Sequence, residues 1–123
     1  MKKAFSHLII MLCLICASVF YNHNIQAATP IFELIIKDHL FFPSEFTIPA
    51  GVKIKLVIYN KDITPEEFES YELNREKIIM GSSKAIVFIG PLKAGKYPFF
   101  GEFNIKTAQG VILVTDQIKE PGN

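Results

Sequence analysis

After residue 30, the chain is built from short apolar runs that are rich in β-branched and aromatic residues. Residues 31–37 form the first run, and residues 52–59 alternate apolar and basic side chains in their first half. Because a period of two buries one side of a strand and leaves the other in solvent, these runs are predicted to be strands. The same composition predicts strands at residues 45–48, 77–80, 85–89 and 111–114.

Turn-forming residues separate the predicted strands. Residues 38–43 break the first strand, and residues 93–96 are predicted to form a hairpin-like turn. Proline, glycine, asparagine or serine mark further turns at residues 49–51, 60–62, 81–83 and 90–91. After the first 27 residues, no segment shows the helical period of 3.6 residues. About seven or eight short strands with turns between them are typical of an antiparallel β-sandwich.

The first 27 residues are arranged like a secretory signal peptide. Lys2 and Lys3 give a basic start, residues 8–20 are apolar and uncharged, and residues 25–27 suit a signal peptidase. The apolar run is shorter than the roughly 20 residues of an ordinary membrane span, so cleavage after Ala27 is favoured over an uncleaved anchor. The mature protein is then expected to be periplasmic or secreted, with no membrane span. It would comprise one domain at residues 28–118 and a flexible tail at residues 119–123.

The positions of the cysteines and the distribution of charge exclude several classes of function. Both cysteines, Cys13 and Cys16, lie in the predicted leader, so the mature chain has no thiol. The formal net charge is +1 and the basic residues form no cluster, which argues against a nucleic-acid partner. The sequence has no Ser/His/Asp set, phosphate loop or zinc motif, and His39 is the only histidine after the leader. A binding protein is therefore favoured over an enzyme, and oxidation of a bound metal is the one activity left open.

Residues 64–70 concentrate negative charge around one large aromatic side chain. Glu66, Glu67 and Glu69 surround Phe68, directly after a turn. Carboxylates this close repel one another, and an ionised carboxylate is costly to bury without a partner. A nearby cation would relieve that repulsion, and it is either a basic side chain or a metal ion.

Two spans of the chain resemble the cupredoxin domain, and together they cover nearly all of the predicted mature protein. The first half is similar in Phe46-x-Ile48-Pro49-Ala50-Gly51, in a strand ending at Asn60 and in Thr64-Pro65. The second half is similar in Gly90-Pro91-Leu92-x-x-Gly95-x-Tyr97 and in Gly110 before a final strand. Residues 66–70, 75–77 and 99–103 resemble more closely the secreted cupredoxin-like proteins that accompany bacterial iron permeases. The resemblance implies an all-β, antiparallel Greek-key sandwich that handles a metal ion.

The copper ligands of a blue-copper site are missing from the matching positions. Such a site needs a histidine, then a cysteine, a second histidine and usually a methionine near the last strand. By the family's spacing, these positions hold Glu66, Gly101, Asn104 and either Ala108 or Gln109. Without a cysteine, the mature chain cannot form a copper–thiolate bond, so a blue-copper centre is excluded.

The resemblance implies that a carboxylate-rich site occupies the same end of the sandwich. Glu67 and Glu69 are two residues apart and share one face of a strand, whereas Glu66 and Phe68 share the other. The candidate ligands are Glu66, Glu67, Glu69 and Glu102, with His39 as the only nitrogen donor. Carboxylates with one imidazole suit Fe, Mn, Zn or Cu(II) rather than Cu(I). In the alternative interpretation the glutamates are solvated and pair with Lys61, Arg75, Lys77 or Lys106.

Two functions are therefore predicted. The first is a periplasmic metal-binding protein that assists iron or copper handling beside an inner-membrane iron permease or a second periplasmic metal-binding protein. The second is a metal-free sandwich that serves as an interaction module of an envelope complex.

Overall fold

The computed structural model describes residues 26–116, so the predicted leader before residue 26 and the predicted tail lie outside the described residues. The described part contains nine strands and a short 3-10 helix at Glu102–Asn104. The strands are β1 (Ile31–Lys37), β2 (Leu40–Phe42), β3 (Glu45–Pro49), β4 (Ile54–Asn60), β5 (Glu66–Ser70), β6 (Arg75–Ile79), β7 (Lys84–Ile89), β8 (Gly95–Gly101) and β9 (Gln109–Thr115).

The strands form two sheets. The four-stranded sheet has the order β2-β1-β4-β7, and the five-stranded sheet has the order β3-β9-β8-β5-β6. The pairs β1–β4 and β3–β9 are parallel, and the remaining neighbours are antiparallel. Within residues 26–116, no helix is long and apolar enough to cross a membrane.

The inner faces of the two sheets bury an apolar core that is centred on aromatic rings. Phe68 of β5 is fully buried and stacks on Phe99 of β8, with 5.3 Å between the ring centroids. Phe41 of β2 meets Phe99 edge-on at 5.0 Å, so the rings link the two sheets. The predicted core residues that are buried are Ile54, Leu56, Ile58, Phe68, Val87, Ile112 and Val114. The other two predicted core residues, Phe46 and Tyr97, pack against the core while partly exposed.

The predicted all-β sandwich class is confirmed, with corrections in detail. The structure has nine strands where about seven or eight were expected, and two of the pairs are parallel rather than antiparallel. Residues 38–43 contain β2, which pairs with β1 through the two-residue turn Asp38–His39. Residues 93–96 lead from one sheet to the other instead of closing a hairpin, because β7 and β8 belong to different sheets. Such pairings depend on contacts between distant segments, which local turn signals do not encode.

Candidate metal centre

The loop between β4 and β5 is held in place by the buried side chain of Asn60. Its Nδ2 donates to the carbonyl oxygens of Thr64 at 2.8 Å and Ile79 at 3.1 Å, and its Oδ1 accepts from the Asp62 N–H at 3.0 Å. Asn60 itself is only 1% exposed. These bonds determine where β5 begins, and therefore where its first residue, Glu66, enters the sandwich.

Glu66 points into the sandwich and its carboxyl group is fully hydrogen-bonded. Its Oε1 accepts from the backbone N–H groups of Glu67 at 3.0 Å and Phe103 at 2.9 Å. Its Oε2 accepts from Asn104 Nδ2 at 2.7 Å. The side chain is 1% exposed. Glu66 therefore ties the start of β5 to the loop between β8 and β9, which lies 37 to 38 residues further along the chain.

The four positions at which the resemblance places copper ligands do come together in the structure. A Cβ atom added at Gly101 would lie 2.6 Å from Cδ of Glu66 and 2.7 Å from Cβ of Ala108. The carboxyl group of Glu66 thus occupies the space beside Gly101, and Asn104 donates to it from the other side. Ala108 is buried at this point, whereas Gln109 is exposed. A copper ion does not fit these residues, because their polar atoms bind one another and no thiolate or imidazole is present.

This arrangement predicts the optical behaviour of the protein. When Cu(II) is added to the form that begins at Ala28, we expect no intense thiolate-to-copper charge-transfer band, because that form contains no cysteine. Absorption spectroscopy during the titration measures this directly. An intense band of that type would contradict the ligand assignment.

A second group of carboxylates lies on the outer face of the five-stranded sheet. Carboxylate oxygens of Glu67, Glu69 and Glu76 all lie within 4.8 Å of one another. The β5–β6 register pairs Glu69 directly with Glu76, which brings the third carboxylate to the cluster. Sequence reasoning missed Glu76 as a site residue. The turn at residues 71–74 could have revealed it, because antiparallel pairing places residues that are equally distant from a turn opposite each other.

The charges of this cluster repel one another. The pKa of Glu69 is raised above its ordinary value, first by the loss of solvent around the side chain and then by the negative charges of Glu102, Glu67 and Glu76. Glu102, from the loop after β8, therefore acts on the same cluster. Like charges directly opposite each other on neighbouring strands destabilise a sheet, so the metal-free cluster opposes folding at neutral pH.

In the described part of the chain, no basic side chain lies within 4.0 Å of these carboxylate oxygens. Within residues 26–116, the one contact of 4.0 Å or less between a basic and an acidic side chain joins His39 and Asp62. Arg75, the basic residue next to Glu76, instead donates to the carbonyl oxygens of Phe88 and Asn74. In this structure the salt-bridge interpretation therefore has no partner among Lys61, Arg75, Lys77 and Lys106.

His39 lies in the β1–β2 turn and is engaged with Asp62. Its Nδ1 is 3.6 Å from Asp62 Oδ2, and its backbone N–H donates to the same oxygen at 3.0 Å. That backbone hydrogen bond is the main reason why the pKa of Asp62 is lowered from its ordinary value. Of the predicted ligands, the structure therefore brings together Glu67 and Glu69, with Glu102 near enough for its charge to act on Glu69. Glu66 faces the interior, and His39 pairs elsewhere.

The raised pKa of Glu69 predicts a pH dependence of stability. The folded protein binds the Glu69 proton more tightly than the unfolded chain does, so this residue favours folding in acid. That contribution is lost as the pH rises from the ordinary glutamate pKa through the raised value. We expect Glu69→Gln to remove this fall in the free energy of unfolding. Urea denaturation of both proteins, at several pH values with chelator present, measures the difference, and parallel pH profiles would contradict the repulsion.

Comparison with known proteins agrees with this architecture. A family model described as the cupredoxin-like domain matches residues 8–114. An uncharacterised protein of Rickettsia prowazekii (strain Madrid E) is 49% identical over 84 residues, which are 68% of this chain and 67% of the relative.

Solved structures show the same fold at low sequence identity. The metal-binding domain of the Cu(I)-exporting P-type ATPase of Streptococcus pneumoniae D39, solved with Cu(I), matches with a TM-score of 0.64 at 12% identity, over 74% of this chain and 92% of that one. The blue copper protein auracyanin A of Chloroflexus aurantiacus matches with a TM-score of 0.63 at 14% identity, over 72% and 100%. A chain in the cryo-EM structure of a heme-copper terminal oxidase dimer matches with a TM-score of 0.60 at 16% identity, over 93% and 98%.

The family match spans most of the sequence, the two sheets have the fold of these copper proteins, and the expected ligand positions converge at one end of the sandwich. The chain therefore belongs to the cupredoxin-like domain family.

Proposed function

We propose that this protein is a periplasmic metal-binding protein that holds a divalent transition metal at a carboxylate site outside the family's copper position. The proposed ligands are Glu67, Glu69 and Glu76, with Glu102 at the edge of the same cluster. The observation that carries the proposal is that three carboxylates converge within 4.8 Å on a rigid sheet while none has a basic partner among the described residues.

The chemistry of the cluster restricts the metal. Carboxylate oxygens suit hard cations, whereas Cu(I) prefers thiolate and thioether ligands. The proposed ions are therefore Mn(II), Fe(II), Zn(II) or Cu(II), and the set without imidazole favours the first two. A bound ion would cancel the repulsion among these carboxylates, so binding energy would also stabilise the fold.

The proposed setting is iron or copper handling beside an inner-membrane permease or a second periplasmic metal-binding protein. The arrangement of the leader supports export, and residues 66–70, 75–77 and 99–103 resemble the proteins that accompany bacterial iron permeases. The Streptococcus pneumoniae domain with the same fold belongs to an exporter of Cu(I), which is a related task.

Changing Glu67 and Glu69 together to Gln tests the site. The amides keep the shape of the side chains but remove two charges, so we expect metal affinity to fall by about tenfold or more. The metal-free variant should be as stable as the wild type or slightly more stable, because the repulsion is relieved. Calorimetric titration with Fe(II), Mn(II), Zn(II) and Cu(II) gives the affinities, and thermal unfolding gives the stabilities.

The matched control removes the same charge elsewhere. Glu45→Gln with Asp116→Asn changes two exposed acidic residues, one in β3 and one after β9. Both lie toward the opposite edge of the five-stranded sheet from β5 and β6. This variant should bind metal like the wild type. No measurable binding of any of the four ions by the wild type would end the metal hypothesis for the isolated protein.

The second candidate is a metal-free interaction module of an envelope complex. It is favoured by the carboxyl group of Glu66, which is satisfied by protein donors at the place where the family holds its metal. The similar chain in a heme-copper terminal oxidase dimer shows that the fold occurs within a large assembly. Wild-type protein that binds none of the four ions but co-purifies with a membrane complex from its own cells would support this function.

A further inference from the structure

The outer face of the four-stranded sheet exposes several large apolar side chains among its charged residues. The registers place residues in cross-strand rows, in which Phe42, Ile35, Tyr59 and Lys84 form one row. Glu33, Val57 and Ile86 form the next row, followed by Ile31, Lys55 and Phe88. Phe42 and Phe88 are each 47% exposed, and Ile31 is 60% exposed. Large apolar side chains that are exposed together on one face are typical of an interaction surface.

The charges of this face are almost all positive. Its charged residues are Lys37, Lys53, Lys55, Lys61 and Lys84, and the single acidic residue Glu33 accepts from the hydroxyl of Tyr59. The ammonium groups lean over the aromatic rings, with Lys53 Nζ 4.9 Å from the centre of Phe88 and Lys61 Nζ 5.5 Å from that of Tyr59. We call this surface the lysine face. Its partner must combine apolar and acidic groups.

Such a surface exists on the opposite side of the same molecule. The outer side of the five-stranded sheet carries Glu67, Glu69, Glu76 and Glu102, and we call it the glutamate face. Beside the carboxylates, an open pocket of about 410 Å³ is lined by Tyr71, Phe100 and Ile105, among others. Tyr71 is 72% exposed and meets Phe100 edge-on at 5.4 Å. The two faces are thus complementary in charge, and both contain exposed aromatic groups.

The charge is segregated rather than in excess. The whole chain has thirteen basic and twelve acidic residues, so its net charge is close to zero. The two faces nevertheless carry charges of opposite sign. Any other molecule of the same protein therefore offers a partner surface with the chemistry of the glutamate face. We propose that the lysine face of one molecule docks on the glutamate face of another, which gives head-to-tail self-association.

The size of the face sets the strength of this contact. Three strands of six or seven residues and the three-residue β2 form this sheet. With strands about 4.8 Å apart, they give a flat surface of roughly 15 by 20 Å. This is below the roughly 800 Å² that each partner buries in a standard stable complex. The association is therefore weak and sensitive to salt. Because the contact joins two different patches, it does not close into a dimer and adds further copies.

A charge swap tests the proposal. One variant carries Lys53→Glu and Lys84→Glu, which cancels the net positive charge of the lysine face. The other carries Glu69→Lys and Glu76→Lys, which cancels the net negative charge of the glutamate face. Sedimentation velocity follows the protein as it is secreted, over a range of concentrations and at ionic strengths of about 0.01 M and about 0.15 M. EDTA is present throughout, so the result does not depend on the proposed metal site.

The wild type should show a sedimentation coefficient that rises with concentration at low salt and much less at the higher salt. Each variant alone should associate at least about tenfold more weakly, because one of its two faces no longer carries the net charge that attracts the other. An equimolar mixture of the two variants should associate again. The control Lys93→Glu changes an exposed lysine outside both faces and should behave like the wild type.

Two results would overturn the proposal. A wild type that remains monomeric at low salt and high concentration would exclude self-association. Variants that associate as strongly alone as the wild type would show that the two faces do not meet. If the monomeric wild type instead sediments with phosphatidylglycerol vesicles, and the Lys53→Glu, Lys84→Glu variant does not, the lysine face binds a lipid surface rather than a second copy.

Discussion

Truncating Phe68 to alanine is expected to lower the free energy of unfolding by about 3–5 kcal/mol. The side chain has no exposed surface, and its ring lies 5.3 Å from that of Phe99 and 6.3 Å from that of Phe41. Alanine would remove the apolar surface and leave a cavity among rings that are held by two sheets, so the surroundings cannot collapse into it. Urea denaturation followed by circular dichroism measures the change, since the chain has no tryptophan.

Phe103→Ala is the matched control for this substitution. Phe103 is 49% exposed in the loop after β8, so its truncation should cost well under half as much. If Phe68→Ala cost much less than 1 kcal/mol, the register of β5 would be shifted by one residue and the glutamates would face inward. The substitution therefore tests the orientation of Glu67 and Glu69 as well as the core.

Replacing Glu66 with alanine is expected to cost about 3 kcal/mol or more. The change leaves the Phe103 N–H and Asn104 Nδ2 without their acceptor and opens space beside Gly101. Hydrogen bonds to a charged acceptor contribute about 1.5–3 kcal/mol each, and unsatisfied buried donors lose solvation as well. Chemical denaturation measures the loss, and hydrogen exchange at the Phe103 amide shows whether the loop after β8 has been released.

Two further variants separate the hydrogen bonds from general damage. Glu66→Gln keeps the volume and one acceptor oxygen. Its loss of stability should therefore be smaller than that of Glu66→Ala, and the difference should be about 1–2 kcal/mol. Glu67→Ala changes the next residue, whose side chain lies on the outer face, and should be neutral or slightly stabilising. If Glu66→Ala left both the stability and the exchange of the Phe103 amide unchanged, the carboxyl group would not anchor the loop.

The sequence alone predicted most of the strands and the alternation of their side chains. In residues 66–70 the burial follows the predicted parity, with Glu66, Phe68 and Ser70 buried and Glu67 and Glu69 only partly so. This is predictable because the side-chain period of a strand is a local property of the backbone. Residues 28–123 contain no cysteine. A chain that begins at Ala28 therefore cannot form a copper–thiolate bond, whatever its fold.

Only the tertiary structure decided which glutamates meet. Glu66 finds its donors 37 and 38 residues away, and Glu76 joins Glu69 through the β5–β6 register. His39, which the resemblance placed near the site, is instead bound to Asp62 by a turn with positive φ at both Asp38 and His39. The parallel pairs β1–β4 and β3–β9 were equally hidden from the sequence. The physical reason is the same for each: these contacts join segments far apart in the chain, and the packing of the two sheets, rather than any local propensity, selects them.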